Sequence, residues 1–209
     1  MLPFFCPLFG TSGELPVQFF SWGGGSLSPV SISTTNIQTD CLVIIGMCRT
    51  GETSTGELVS TPDGFSTLAV EGGNTPCGVF AKLTTNEEPA TYNFSWTGSG
   101  NFRYFVAQYR FAREVVAASS AARFVSVGGA DVPKIAPSKP GALLVWTLYG
   151  PSWDNNLIYP AQSAVKRSGS NTFIGFWDVL DHPAGAIPGT FHVTFGGSVT
   201  GRCGCLLIA

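Results

Sequence analysis

Apolar and polar positions alternate along most of this chain with a period of two, the period of a half-buried strand. Val30-Ser31-Ile32-Ser33 and Tyr92-Asn93-Phe94-Ser95-Trp96 follow it strictly. Cys41 to Cys48 is instead one continuous apolar run, which predicts a strand covered on both faces. Phe65–Glu71 and Pro76–Leu83 read as two strands of a hairpin joined across Gly72-Gly73-Asn74. Residues 50–64 read as a long loop that ends in the turn Pro62-Asp63-Gly64-Phe65. Thr97-Gly98-Ser99-Gly100 is a turn before a strand over Asn101–Phe111, and residues 112–122 read as a linker. Many short strands with Gly and Pro turns, and no long helical pattern, predict an all-β fold. The class is an antiparallel β-sandwich or jelly-roll-like architecture.

The pattern also repeats. Pro89-Ala90-Thr91-Tyr92-Asn93-Phe94-Ser95-Trp96 has the same order of residue types as Pro188-Gly189-Thr190-Phe191-His192-Val193-Thr194-Phe195, offset by 188 − 89 = 99 residues. Cys41–Gly46 matches Leu143–Leu148 at an offset of 102, and Gly78–Leu83 resembles Phe173–Asp178. The chain therefore reads as two similar β units, residues 30–111 and 123–209 of one 30–209 sandwich. Residues 1–29 stand apart. They carry Phe4, Phe5, Phe9, Phe19, Phe20 and Trp22 among several prolines and the run Gly23-Gly24-Gly25. Proline and glycine argue against a central strand, and the aromatics against a solvated tail. An extended aromatic arm, pivoting at the glycines and packing on the sandwich or on a neighbour, is the expectation.

Composition sharpens this picture. Charged residues make up 11% of the 209 positions, against roughly 25% in an ordinary soluble domain, while hydrophobic residues reach 44%. No apolar stretch is long enough for a spanning helix, and strands broken by Gly, Pro and Ser do not suit a membrane barrel. Burial against protein partners accounts for the low charge. The net charge of −2 supplies no basic patch. Arg103, Arg110, Arg113 and Arg123 interleave with aromatics as a solvated strand face, so no nucleic-acid contact is expected. Met1–Pro7 lacks a basic n-region and is interrupted by proline, so no secretory signal is expected and synthesis in a reducing cytoplasm follows. The six cysteines then act as small apolar fillers.

Catalytic sets are missing from the pattern. Asp181-His182 falls in what reads as an inter-strand loop, and Glu87 and Glu88 are adjacent in a loop, without the separation that paired carboxylates need. Cys203 and Cys205 share a strand face but have no histidine at ligand spacing. No metal, no cofactor and no enzyme activity are expected. Carbohydrate is the ligand class with a candidate: Trp153, Asp154 and Asn155 in the loop Gly150–Asn156 form a stacking platform with polar neighbours, whereas Trp96, Trp146 and Trp177 read as core.

Thr39-Asp40-Cys41-Leu42-Val43, then Thr61-Pro62-Asp63-Gly64-Phe65, then Glu88-Pro89-Ala90-Thr91-Tyr92-Asn93-Phe94-Ser95-Trp96, with Pro140-Gly141-Ala142-Leu143-Leu144-Val145 in the second unit, carry a resemblance. The pattern resembles a β-sandwich family of phage virion structural proteins, also met in some bacterial surface proteins. The chain departs from that family's pattern at Phe65, where it prefers Trp, and at Thr39, where it prefers Gly. The resemblance implies a virion structural protein, first of all a capsid decoration or cement protein. Its partners would be the major capsid protein or other virion proteins and further copies of itself, with a trimer expected. The alternative is a carbohydrate-binding tail tip or adhesin. In the first reading Phe4, Phe5, Phe9, Phe19, Phe20 and Trp22 are the partner contacts.

Overall fold

A computed structural model describes residues 17–27, 30–49, 55–74, 76–98, 100–119, 122–149, 156–158, 165–167, 174–182, 184–185 and 192–209. The chain is all-β and its strands pair antiparallel. The first half contributes β1 (Gln18–Leu27), β2 (Val30–Ser33), β3 (Cys41–Arg49), β4 (Thr55–Gly56), β5 (Leu58–Ser60), β6 (Ser66–Glu71), β7 (Gly73–Asn74), β8 (Cys77–Leu83), β9 (Thr91–Trp96) and β10 (Phe102–Arg110). The second half contributes β11 (Val115–Ala118), β12 (Ala122–Asp131), β13 (Gly141–Tyr149), β14 (Asn156–Ile158), β15 (Val165–Lys166), β16 (Ile174–His182) and β17 (His192–Ile208).

The two halves have one topology. The first large sheet runs β1-β10-β3-β8-β6 and the second β11-β17-β13-β16-β15, with β12 also paired to β17. A small sheet β2-β9-β5 recurs as the far end of β12, the start of β17, and β14. The long β17 thus does the work of β9 and β10 together. Even an irregularity is duplicated. The bulge between Phe19 and Ser21 faces Tyr109 and Gln108, and the bulge between Val115 and Ala117 faces Ile208 and Leu207. These partners are 208 − 109 = 99 residues apart, the offset read from the sequence.

Burial shows how the sheets stack. Every residue of β3 is buried, as its unbroken apolar run predicts. Val43, Ile45 and Met47 join Val30, Ile32, Tyr92 and Phe94 in a core between the large and small sheets of the first half. Leu42, Ile44 and Cys48 face the other way, into a core shared with Ala142, Leu144, Trp146 and Leu148 of β13. The alternate β13 residues Leu143 and Val145 pack with Cys203, Cys205, Leu207 and Trp177 on the outer side of the second half. Two sandwiches are therefore stacked through their large sheets, and the shared core is where they meet. Phe105 stacks on Phe176 across it, with ring centroids 4.6 Å apart.

The stack uses glycine as a socket for aromatic rings. Gly46 lies opposite Phe105 in the β3–β10 ladder, and a Cβ there would enter the Phe105 ring. In the second half the sizes exchange strands: Trp146 lies opposite Gly204, where a Cβ would sit 2.5 Å from the indole. Gly78 and Gly175 are equivalent sockets beneath Phe80 and Trp177.

Several boundaries differ from the sequence expectation. Gln18–Leu27, assigned to a pivoting arm within residues 1–29, is an edge strand, with Gly23, Gly24 and Gly25 in register with Val106, Phe105 and Tyr104. The exposed row of backbone groups on β10 needs a partner, and that demand outweighs the weak strand propensity of glycine. Val115–Ala118 of the expected linker is β11, and Thr55–Gly56 and Leu58–Ser60 within the expected loop are β4 and β5. His182 ends β16 in register with Gly141, so it belongs to a strand and not to a loop. The register also sets the β3 and β13 repeat at 144 − 44 = 100 residues rather than 102, because Ile44 pairs with Ala107 and Leu144 with Leu206. A two-residue slip keeps each side chain on the same face, so alternation alone does not reveal it.

Glu88 shows that the loop before β9 is structural. Its carboxylate accepts hydrogen bonds from Lys82 Nζ (2.6 Å), Tyr92 Oη (2.7 Å) and the Thr85 backbone N–H (2.8 Å). Burial alone would raise the pKa of this carboxyl, but the bonds from Lys82, Tyr92 and Thr85 outweigh it and hold it below the usual 4.5. A carboxyl depressed on folding adds stability above its unfolded pKa and loses it as pH falls through the folded one. We expect urea resistance to fall as the pH drops below about 4.5, and Glu88→Gln to be less stable than wild type at pH 7 with a smaller acid-side loss. Equal acid sensitivity of the two proteins would contradict this.

Candidate ligand groove

One charged side chain stands out in the first half. Arg49 is the last residue of β3, and it is only 1% exposed. Its Nη1 donates to the Thr55 carbonyl (2.7 Å) and its Nη2 to the Thr97 carbonyl (2.7 Å), so the guanidinium ties β4 to the turn after β9. Its Cζ lies 4.9 Å from the centroid of the Phe102 ring. Three glycines make room for it: a Cβ on Gly56 would lie 2.6 Å from Nη1, one on Gly98 2.9 Å from Nη1, and one on Gly100 3.0 Å from Cδ. Gly98 and Gly100 also have φ of +74° and +140°, so glycine is needed there on backbone grounds as well.

Among the described residues no carboxylate pairs with Arg49 and its buried Nε–H has no acceptor. Burial pulls its pKa below the usual value for arginine. The side chain lines a groove of about 600 Å³ with Val30, Ser60, Asn93, Phe94, Ser95, Trp96, Gly98, Gly100 and Phe102. Among the described residues Trp96 Nε1, also buried, has no hydrogen-bond acceptor either. Trp96 and Phe102 pack together at 5.2 Å between centroids. Ser60, Asn93 and Ser95 are exposed.

The residues singled out by sequence are not gathered here. Phe4, Phe5, Phe9, Trp153, Asp154 and Asn155 lie outside the described residues. The backbone of Trp22 pairs with Ala107. Phe19 is turned onto the chain's own core, edge-on to Tyr109 at 5.6 Å and under the Arg167 guanidinium at 4.2 Å, so it is not a free contact residue. Phe20 is 37% exposed, with Arg110 over its ring at 4.0 Å. Cys203 and Cys205 share a face, as their spacing predicts, but face the outer core, where burial pushes both thiols up to about 12. Among the described residues no group of three potential ligands could hold a metal ion. Arg49 was missed because its partners are backbone carbonyls, which leave no side-chain signature. The signal that could have found it is a cation ending a doubly buried strand, together with Trp96 and the glycines at 98 and 100.

No family model, no curated protein and no solved structure matches the chain.

Proposed function

We propose that this chain is a non-catalytic structural subunit of a larger protein assembly, and that the assembly is a phage virion in which it serves as a capsid decoration or cement protein. The observation that carries the reading is the edge strand β1. Its ten residues, Gln-Phe-Phe-Ser-Trp-Gly-Gly-Gly-Ser-Leu, hold no charge and no proline, and among the described residues it has a partner on one side alone, β10. Isolated soluble proteins protect such edges with Lys, Pro or covering loops, because an open edge templates pairing with another chain. Among the described residues the bulge at Phe19/Ser21 is the one protective device on the strand. The other ends of the large sheets, β6 and β15, present Val70 and Val165 at 46% and 48% exposure. A chain with 11% charged residues then presents strand edges and apolar side chains to neighbours.

The virion part of the reading comes from the resemblance carried by residues 88–96 and 140–145. A decoration protein binds the assembled lattice and not the free subunits, so its binding free energy adds to the stability of the shell. The partners are the major capsid protein and further copies of the chain, and a trimer would multiply weak edge contacts.

Sedimentation of the purified chain over a range of concentrations tests the edge. Wild type is expected to associate at micromolar concentrations. Phe20→Glu, which places a charge on β1 while offering Arg110 a partner, is expected to weaken association about tenfold or more. Identical association of both proteins would remove β1 from the interface.

A further inference from the structure

We propose that Cys48 and Cys77 are a redox-sensitive latch, which closes to a disulfide when the chain meets a small oxidised disulfide such as oxidised glutathione. This goes beyond the assembly reading and does not depend on it, since a shell subunit and a lone protein would carry the pair alike. The two residues lie directly opposite each other across the β3–β8 ladder. The hydrogen bonds at the two ends of that ladder fix the kind of rung they occupy. The Arg49 N–H donates to the Pro76 carbonyl (2.9 Å) and the Thr84 N–H to the Cys41 carbonyl (2.9 Å), so the odd-numbered residues of β3 sit on hydrogen-bonded rungs. The two kinds of rung alternate, which puts Cys48 and Cys77 on a non-hydrogen-bonded one. Rungs of that kind bring the Cα atoms to about 4.5 Å and the side chains closest together. Disulfides span Cα separations of about 4.4–6.8 Å, a range that includes this spacing. Both side chains are buried on the same face, in the shared core, and both are thiols in this structure.

The internal repeat sharpens the case. At the offset of 100 residues Cys48 corresponds to Leu148, and the rung Cys48–Cys77 to the rung Leu148–Ile174. One half thus fills this place with two branched aliphatics and the other with two cysteines. Among the described residues no other rung holds two cysteines. The 77 − 48 − 1 = 28 residues between them carry β4, β5, β6 and β7, and a disulfide closes that excursion at its neck. Pro76 has no N–H, so the last rung, Arg49–Pro76, makes one hydrogen bond where another residue would allow two. The cross-link holds this end of the ladder and restricts the unfolded chain, which stabilises the fold. The step is thiol–disulfide exchange. One cysteine thiolate attacks a sulfur of oxidised glutathione and releases one glutathione thiol, then the second cysteine attacks the mixed disulfide and releases the other. The protein pair gives up two protons and two electrons, and the glutathione disulfide takes them up as two thiols. Burial raises the Cys77 thiol more than the Arg202 charge lowers it, pushing it up to about 12. The closed ladder therefore exchanges slowly, and the latch sets during folding or when this end of the ladder opens.

Refolding the full chain from urea into a buffer of oxidised and reduced glutathione tests the pair, because access to the buried thiols then does not limit the exchange. The remaining thiols are alkylated, and the digested protein is mapped by mass spectrometry without reduction. A linked peptide pair joining Cys48 to Cys77 is expected, with Cys41, Cys203 and Cys205 recovered alkylated. The linked protein is expected to melt about 5 °C or more above the reduced one, and dithiothreitol to remove the difference. Cys77→Ala is expected to melt at the same temperature with and without glutathione treatment. If Cys77→Ala does not fold, the peptide map and the dithiothreitol reversal on the wild-type chain decide the matter. The proposal is overturned if Cys48 and Cys77 are recovered alkylated, as glutathione adducts or linked to other cysteines. It is equally overturned if the linked protein melts no higher than the reduced one.

Discussion

Gly46→Val is expected to destabilise the protein by about 3 kcal/mol, enough to remove a large part of the stability of an ordinary fold. The position leaves no room for relief. Gly46 lies in the middle of β3, whose two faces are both covered, and the Phe105 ring occupies the space a Cβ would take. Phe105 is held in turn by Phe176 of the other half, so moving the ring disturbs the contact between the two sandwiches. Urea unfolding followed by tryptophan fluorescence measures the loss. Combining Gly46→Val with Phe105→Ala is expected to cost less than the sum of the two single changes, because the smaller residue vacates the space the valine needs. An unchanged urea midpoint for Gly46→Val would mean that the two large sheets do not pack as closely as described.

Asp178→Ala is expected to cost about 3–5 kcal/mol, the usual range when one partner of a buried ion pair is removed. Asp178 on β16 is 1% exposed. It accepts a hydrogen bond from Tyr109 Oη of the first half (2.9 Å) and from Arg167 Nε (2.9 and 3.0 Å). Burial, reinforced by the Asp178 carboxylate, pushes the Tyr109 hydroxyl well above its ordinary pKa, so it remains a donor at all accessible pH. By the register of the repeat, Ala81 and Ile208 take the places of Asp178 and Tyr109 on the opposite side of the shared core. The same site is thus filled once by apolar groups and once by an ion-paired network. Tyr109→Phe combined with Asp178→Ala is therefore expected to recover part of the loss, since no buried hydroxyl is left without an acceptor. A double variant no more stable than Asp178→Ala would argue that Arg167, not Tyr109, is the partner that matters.

The repeat was legible because it is written in alternation, and alternation survives where identities do not. Pro89–Trp96 and Pro188–Phe195 share few residues but the same sequence of inward and outward types. The run Cys41–Cys48 announced a strand between two layers for the same reason. What the pattern could not carry was anything decided by backbone groups. Gln18–Leu27 is a strand because β10 has an unfilled edge, which no residue in the segment signals. Arg49 is held by the carbonyls of Thr55 and Thr97, and a carbonyl looks alike under every side chain. Trp96 was read as core from its place on an alternating strand, and it does pack against the first-half core, but it also lines the groove at the end of that strand. Glycine was misread for a related reason. Gly46, Gly78, Gly175 and Gly204 look like weak points in strands, whereas each is a socket for an aromatic ring that is distant in sequence or two residues away.

Charge scarcity and a ten-residue edge strand that is paired on one side alone among the described residues are what the proposed place in an assembly rests on. Electron microscopy of purified particles that contain the protein examines that place directly. We expect density for a pair of back-to-back sandwiches at many symmetry-related positions on the shell, with β1 at a subunit boundary. Particles whose shell lacks that density, with the chain recovered as a free monomer alone, would contradict the assignment to an assembly.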